Sequence, residues 1–263
     1  MGFAVATHNI MHGAFLDALI GHYRSLEVTQ RLDVLCLQEN REHGADGVTH
    51  ADVISRALGG YVSVHLPEFP AVATLVKTDH EIVDRFLVKL PRLPRLSFIE
   101  RTYIRGGKTK QKYALIVQIQ RADHVITVAN FHLDTAGDNQ HRTAQVAAIA
   151  EALKRRQVQS HVVACGDTNA FTWARNPGLT VLEELMSPLT DSLGARLLVD
   201  GKATHFFARQ REELLTHRAL TVLGRLGIDH PLPYDVICSD LPAERRGQLA
   251  VDESDHDLVY AIV

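Results

Sequence analysis

Ser254-Asp255-His256, followed after Asp257 by the apolar run Leu258-Val259-Tyr260-Ala261-Ile262-Val263, is the stretch from which the fold of this chain is read. An Asp-His pair at the mouth of a strand can set a carboxylate and an imidazole on one reaction centre. Taken singly it is equally the mark of a solvated turn before a buried strand. Its weight comes from similar polar clusters upstream, each beside an apolar strand-like run. Phe3 to Ile10 carries Asn9, and Asp33-Val34-Leu35-Cys36-Leu37 runs into Gln38-Glu39. Asn130-Phe131-His132-Leu133-Asp134 closes a third run, and a fourth, over residues 160 to 165, ends in Gly166-Asp167-Thr168-Asn169-Ala170. A fifth is Tyr234-Asp235-Val236-Ile237-Cys238.

The elements between these clusters alternate in period. Phe15, Leu16, Leu19, Ile20 and Tyr23 recur at helical spacing. Thr49-x-x-Asp52 is a capping-box pattern, Val53, Ile54, Ala57 and Leu58 mark an apolar face, and Gly59-Gly60 stops that helix. From residue 61 to 128 the pattern becomes extended, with strands expected over 61–66, 71–76, 82–90, 112–120 and 124–131, several joined by hairpin-length turns. Helices are expected around Val146, Ile149, Ala150 and Leu153, over 179–186, and over the amphipathic segment 209–227, with a short strand at 203–207. The basic loop 92–112 reads as a solvated loop or as a rim that steers phosphates.

With 46% hydrophobic and 22% charged residues in 263, the chain can bury a large core. Strand signals reach both ends without a linker, so one domain, 1–263, is expected. A net charge of −3 and a pI near 6.6 advertise no polyanion partner globally, although local basic patches remain open. Cys36, Cys165 and Cys238 each lie inside an apolar run and fit no zinc spacing, which suits reduced buried thiols and a cytoplasmic home. No apolar run approaches the roughly 20 residues needed to cross a bilayer.

Asn9, Glu39, His132, Asp167, Asn169, Asp235, Asp255 and His256 are the polar residues read as strand ends. If those ends share one rim, the set offers hard oxygens and two imidazoles without a cysteine ligand, which favours Mg²⁺ or Mn²⁺ over zinc. Such a set suits transfer of a phosphoryl group to water. A divalent ion neutralises phosphate oxygens, a carboxylate aligns the water, and an imidazolium stabilises charge on phosphorus. Asp235 is the carboxylate suited to stand behind His256.

In this order the motifs Thr7-His8-Asn9-Ile10 with His12-Gly13, Leu37-Gln38-Glu39, Phe131-His132-Leu133, Gly166-Asp167-Thr168-Asn169-Ala170, Tyr234-Asp235-Val236-Ile237 and Ser254-Asp255-His256 resemble the endonuclease/exonuclease/phosphatase superfamily, whose members include deoxyribonuclease I. The resemblance implies a four-layer α/β/β/α sandwich of two packed mixed sheets flanked by helices. It implies that Glu39 is the principal metal ligand, with Asn9 and Asp255 assisting. Asp167 would orient or activate the water, and Asn169 and His132 would hold phosphate oxygens. His256, backed by Asp235, would stabilise the transition state or act as general acid. The phosphate-contacting tyrosine or arginine that many relatives supply from mid-chain falls on Arg101, Tyr103 or Arg105, and His12 is placed close to the pocket.

The chain departs from the pattern at His8, where an aromatic is common and a change of packing only is expected. Pro233-Tyr234-Asp235 stands for the usual Arg-Ile-Asp, and Leu258 where a proline is frequent. The expected activity is Mg²⁺-dependent phosphodiester hydrolysis, with nucleic acid, a phospholipid head group or a small metabolite all open as substrate. A phosphatase on the same site, or a binding protein that keeps the fold without turnover, are the alternatives.

Overall fold

The computed structural model describes residues 2–44, 46–98, 109–158, 161–170, 179–199, 202, 204 and 234–263. The expectations placed on Arg101, Tyr103, Arg105, the 209–227 helix and most of the 203–207 strand lie outside the described residues.

The strand Val34–Gln38 explains the architecture, because its apolar residues do not alternate with polar ones. A strand with both faces covered must be apolar on both. Val34 and Cys36 point into the large core shared with the second sheet, while Leu35 and Leu37 point into a second core under helices. The strands, in chain order, are β1 (Ala4–Asn9), β2 (Val34–Gln38), β3 (Tyr61–Leu66), β4 (Phe69–Lys77), β5 (Glu81–Lys89), β6 (Tyr113–Arg121), β7 (His124–His132), β8 (Val162–Asp167), β9 (Arg196–Leu197), β10 (Asp235–Ser239), β11 (Arg245–Leu249) and β12 (Leu258–Ile262). Among the described residues they form two six-stranded sheets, ordered β11-β12-β1-β2-β4-β3 and β5-β6-β7-β8-β10-β9.

Helices cover the outer face of each sheet. Helices α1 (Leu16–Ser25) and α3 (His50–Leu58), with the short α2 (Glu27–Gln30) between them, supply Leu19, Tyr23 and Ile54 to the smaller core. Helices α4 (Asn139–Arg155) and α5 (Thr180–Leu193) supply Val146, Ile149, Leu182 and Leu185 to the larger. This is the expected four-layer sandwich. The Thr49 capping box forms as the sequence predicts, with Thr49 Oγ1 accepting from the Asp52 N–H at 3.3 Å and Asp52 accepting the Thr49 N–H at 2.7 Å.

Some boundaries differ from expectation. The strand expected over 160–165 is Val162–Asp167, which makes Gly166 and Asp167 its last two residues. The helix expected to end at 186 continues through Pro188 to Leu193. Strands β9 and β11 were not expected. One has two residues, and the other, Arg245-Arg246-Gly247-Gln248-Leu249, is exposed or half-buried at a sheet edge, where no apolar pattern is required.

Among the described residues each sheet has a parallel pair at its centre, β1 with β2 and β7 with β8. Asn9, Glu39, His132 and Asp167 therefore stand where these strands end. Strands β10 and β12 run antiparallel to β8 and β1, so Asp235, Asp255 and His256 reach the same rim at the start of a strand, a correction to their reading as strand ends.

Candidate active site

Asp167 is the hub of the rim. Its Oδ2 accepts from Asn9 Nδ2 at 2.9 Å, and the Nε2 atoms of His132 and His256 lie 3.6 and 3.8 Å from the same oxygen. Its Oδ1 accepts the Asn169 N–H at 2.8 Å. Asp167 pairs with His132 in the parallel ladder and with Asp235 in the antiparallel one, so backbone register fixes all three. Gly166, immediately before, has φ +152, and a Cβ there would lie 1.9 Å from the Phe131 carbonyl oxygen. Only glycine lets β7 and β8 approach this closely.

His256 is held by both its side chain and its backbone. Its Nδ1 pairs with Asp235 Oδ2 at 2.7 Å, its N–H donates to Ser254 Oγ at 3.1 Å, and its carbonyl accepts from His8 Nε2 at 3.1 Å. Ser254 Oγ in turn donates to the Asn9 carbonyl at 2.7 Å, tying the 254–256 turn to β1. His8 therefore does more than alter packing: it lies on the outer face of β1, and its Nδ1 is 2.5 Å from the Tyr23 hydroxyl.

Four of the seven described non-glycine residues with positive φ, namely Met11, His12, Glu39 and Asn169, belong to this rim. Left-handed backbone at such residues is costly and persists where surrounding structure imposes it, a frequent property of functional sites. The turn at Glu39 sets its carboxylate 3.0 Å from His12 Nε2. Asn9 Oδ1 accepts the Met11 N–H at 3.1 Å, and Asn169 Nδ2 donates to the Leu133 carbonyl at 3.1 Å, so both amides also brace the loops that carry them. Arg142, wholly buried, donates to the carbonyls of Asp134, Thr135 and Gly137 and fixes the loop that follows His132.

Burial and neighbouring charge separate the protonation states. Burial opposes the charged form of His256, but the carboxylates of Asp235, Asp167 and Asp255 outweigh it and lift the imidazole to about 10. His132 is taken down to about 3 by burial, with Lys112 adding to the effect. Two histidines facing one carboxylate oxygen are thus an imidazolium and a neutral imidazole at neutral pH. Burial works against ionised Asp167 too, yet His256, His132 and the donors on Asn9 and Asn169 hold it below the usual carboxylate range. Burial, with Asp255 and Asp167 nearby, pushes the Glu39 carboxyl up to about 7, against the pull of His256 and Lys112.

Among the described residues, no three His, Cys, Asp or Glu side chains form a preassembled metal cage. The donor chemistry nevertheless fits a hard divalent cation. Burial and the neighbouring Asp255 carboxylate both oppose the charged form of Glu39, a cost that a bound cation would relieve, and Mg²⁺ commonly binds through one or two carboxylates while keeping several waters.

Beside Glu39 lies a cavity of about 170 Å³ lined by His12, Arg41, Phe69, Lys110, Lys112 and His132, among others. Lys112 was legible in the sequence only as one basic residue of a loop. The structure sets it just before β6, within electrostatic reach of Asp134, Glu39 and Asp167, and burial lowers its pKa. Arg41, two residues past Glu39, was not singled out, since nothing in a lone exposed arginine distinguishes it by sequence.

No family model matches the chain, and no curated protein matches it in sequence. Solved structures do match in three dimensions. An endonuclease/exonuclease/phosphatase from Bacteroides vulgatus superposes with a TM-score of 0.66 at 15% identity, over 99% of this chain and 98% of that one. TDP2 from D. rerio, complexed with a single-strand DNA product, gives 0.65 at 12% identity, over 98% and 97%. The endonuclease domain of TRAS1, a telomere-specific non-LTR retrotransposon, gives 0.59 at 14%, over 100% and 98%. At these identities the likeness is one of fold.

Proposed function

Because the chain has the endonuclease/exonuclease/phosphatase fold, with polar residues gathered at one rim of its sandwich, we propose that it is a metal-dependent phosphodiesterase. The observation that carries this reading is the Asp235–His256 pair, 2.7 Å apart, aimed at Asp167, whose Oδ2 also faces neutral His132.

A cation with a pKa near 10 cannot accept a proton from water at neutral pH, so His256 is the donor of the pair. Asp167, an ionised carboxylate braced by Asn9 and the Asn169 N–H, holds the attacking water and takes its proton. As the water oxygen bonds to phosphorus, the P–O bond to the leaving group breaks, and His256 donates its Nε2 proton to the departing oxygen. Neutral His132 holds a non-bridging oxygen without competing for a proton. Glu39 and Asp255, with Asn9, would hold Mg²⁺ or Mn²⁺, which when bound neutralises charge on the phosphate.

The substrate reading favoured here is nucleic acid. Arg41, Lys110 and Lys112 line the cavity on the Glu39 side, cations suited to phosphates flanking the scissile one. The structural neighbour carrying a single-strand DNA product supports the same choice. Free, buried Cys36, Cys165 and Cys238 support a reducing compartment such as the cytoplasm.

The test is hydrolysis of bis(4-nitrophenyl) phosphate with Mg²⁺ or Mn²⁺, run beside single-stranded DNA, plasmid, abasic duplex, a lipid phosphodiester and a phosphomonoester. Turnover abolished by Glu39→Ala and by His256→Ala is the expected result. Absence of turnover on every substrate would instead indicate a binding protein on this fold.

A further inference from the structure

We infer that His8 and Tyr23 are positioning residues for His256, setting the imidazole through the carbonyl of its own backbone. The inference rests on the proposed role of His256, although its structural part can be tested without turnover.

A carbonyl oxygen can only accept, so the 3.1 Å contact between His8 Nε2 and the His256 carbonyl requires a proton on Nε2. A neutral imidazole with that proton leaves Nδ1 as acceptor, and the Tyr23 hydroxyl, 2.5 Å away, donates to it. Tyr23 and His8 are both wholly buried, so water cannot replace either bond. The tyrosine therefore selects the tautomer that the carbonyl needs, as an outer partner selects the tautomer of a metal-binding histidine.

The His8–His256 contact links residues 248 positions apart, and through the Tyr23 hydroxyl it connects α1, on the outer face of the first sheet, to the turn that carries Asp255 and His256. Ser254 Oγ pins the other end of that turn to the Asn9 carbonyl, so consecutive residues of β1 hold it at two points. The side chain of His256 is then aimed by its backbone from one side and by Asp235 from the other. An apolar aromatic ring at position 8 could fill the space, but it would leave the carbonyl of His256 buried without this donor.

The experiment uses the full chain and three variants. His8→Phe removes both bonds, Tyr23→Phe removes the tautomer control, and His8→Gln restores a donor to the carbonyl and an acceptor for Tyr23. Thermal midpoints are recorded for all, and assays are run well below the lowest. With bis(4-nitrophenyl) phosphate and Mg²⁺, kcat is expected to fall roughly 10- to 100-fold in His8→Phe with KM little changed, the scale associated with displacing a catalytic group by about 1 Å. Tyr23→Phe should fall less, and His8→Gln should recover most of the loss.

Independently of turnover, proton NMR follows the His256 Nδ1–H in its bond to Asp235. Its downfield resonance should shift or broaden in His8→Phe and Tyr23→Phe and return in His8→Gln. Lower thermal midpoints with that resonance unmoved, and with kcat within twofold where turnover is present, would reduce His8 and Tyr23 to packing residues and overturn the proposal. If the wild type is inactive while the resonance responds as expected, positioning stands and the phosphodiesterase reading fails.

Discussion

The Asp235 carboxylate lies 2.7 Å behind the His256 imidazole, and both are wholly or almost wholly shielded from solvent. An ion pair so placed cannot exchange either partner for water, and removing the anion leaves the cation buried without its nearest counter-charge. Asp235→Asn should therefore drop the His256 pKa well below about 10. Activity that requires the imidazolium should persist in the wild type to high pH and lose its alkaline limb at lower pH in the variant. A pH profile of kcat/KM reads this directly, and at neutral pH a loss of roughly 10²- to 10⁴-fold is expected from disabling proton transfer.

Glu39 makes a stability prediction with a definite sign. Its carboxyl is raised in the folded protein from the usual 4.5 to about 7, so between those values the folded state holds a proton that the unfolded state has lost. The contribution of Glu39 to stability should fall as pH rises through that window, by on the order of 3 kcal/mol for a shift of this size. Relative to wild type, Glu39→Gln should raise the unfolding midpoint at pH 8 and have much less effect at pH 5. Mg²⁺ should raise the wild-type midpoint at pH 8, by mass action on the folded state, and leave Glu39→Gln largely unaffected. Urea unfolding at pH 5 and pH 8, with and without Mg²⁺, separates these outcomes.

Gly166 has no room for a methyl group, because the obstructing atom is the Phe131 carbonyl oxygen, part of the adjacent strand and not a movable side chain. Gly166→Ala should cost on the order of 3 kcal/mol or more, since both steric overlap and a disfavoured φ must be relieved. His132 and Asp167 follow Phe131 and Gly166 in the paired register, so surviving folded protein should also lose activity. Denaturant midpoints and turnover measured on one preparation check both parts.

The basic wall predicts how substrate size enters. Arg41→Ala and Lys110→Ala should leave hydrolysis of the small aryl diester nearly unchanged while raising KM for DNA. Each should reduce the slope of log affinity against log salt by about 1 if it contacts a phosphate. Equal effects on both substrates at every salt concentration would argue against a polyanion in the cavity.

The sequence by itself determined the buried strands and where they change character, but not the short β9 or the edge strand β11. Val34-Leu35-Cys36-Leu37 had to lie between two cores, because four consecutive apolar side chains on a strand cover both of its faces. The abrupt arrival of Asn9, Glu39, His132 and Asp167 at the ends of such runs is equally local, and so were the motifs by which the site was assembled on paper. What only the tertiary structure decided is everything that depends on neighbours in space. Antiparallel pairing turned the start of β10 and the turn before β12 toward the rim where β8 and β1 end. Burial and charge made His256 a cation and His132 a neutral ring, though nothing in the two residue names distinguishes them. His8 looked like a packing change because its hydrogen-bond partners, Tyr23 and the His256 carbonyl, lie 15 and 248 residues away. Side-chain periodicity is written along the chain, whereas charge, solvation and hydrogen-bond partnership arise only when distant segments meet.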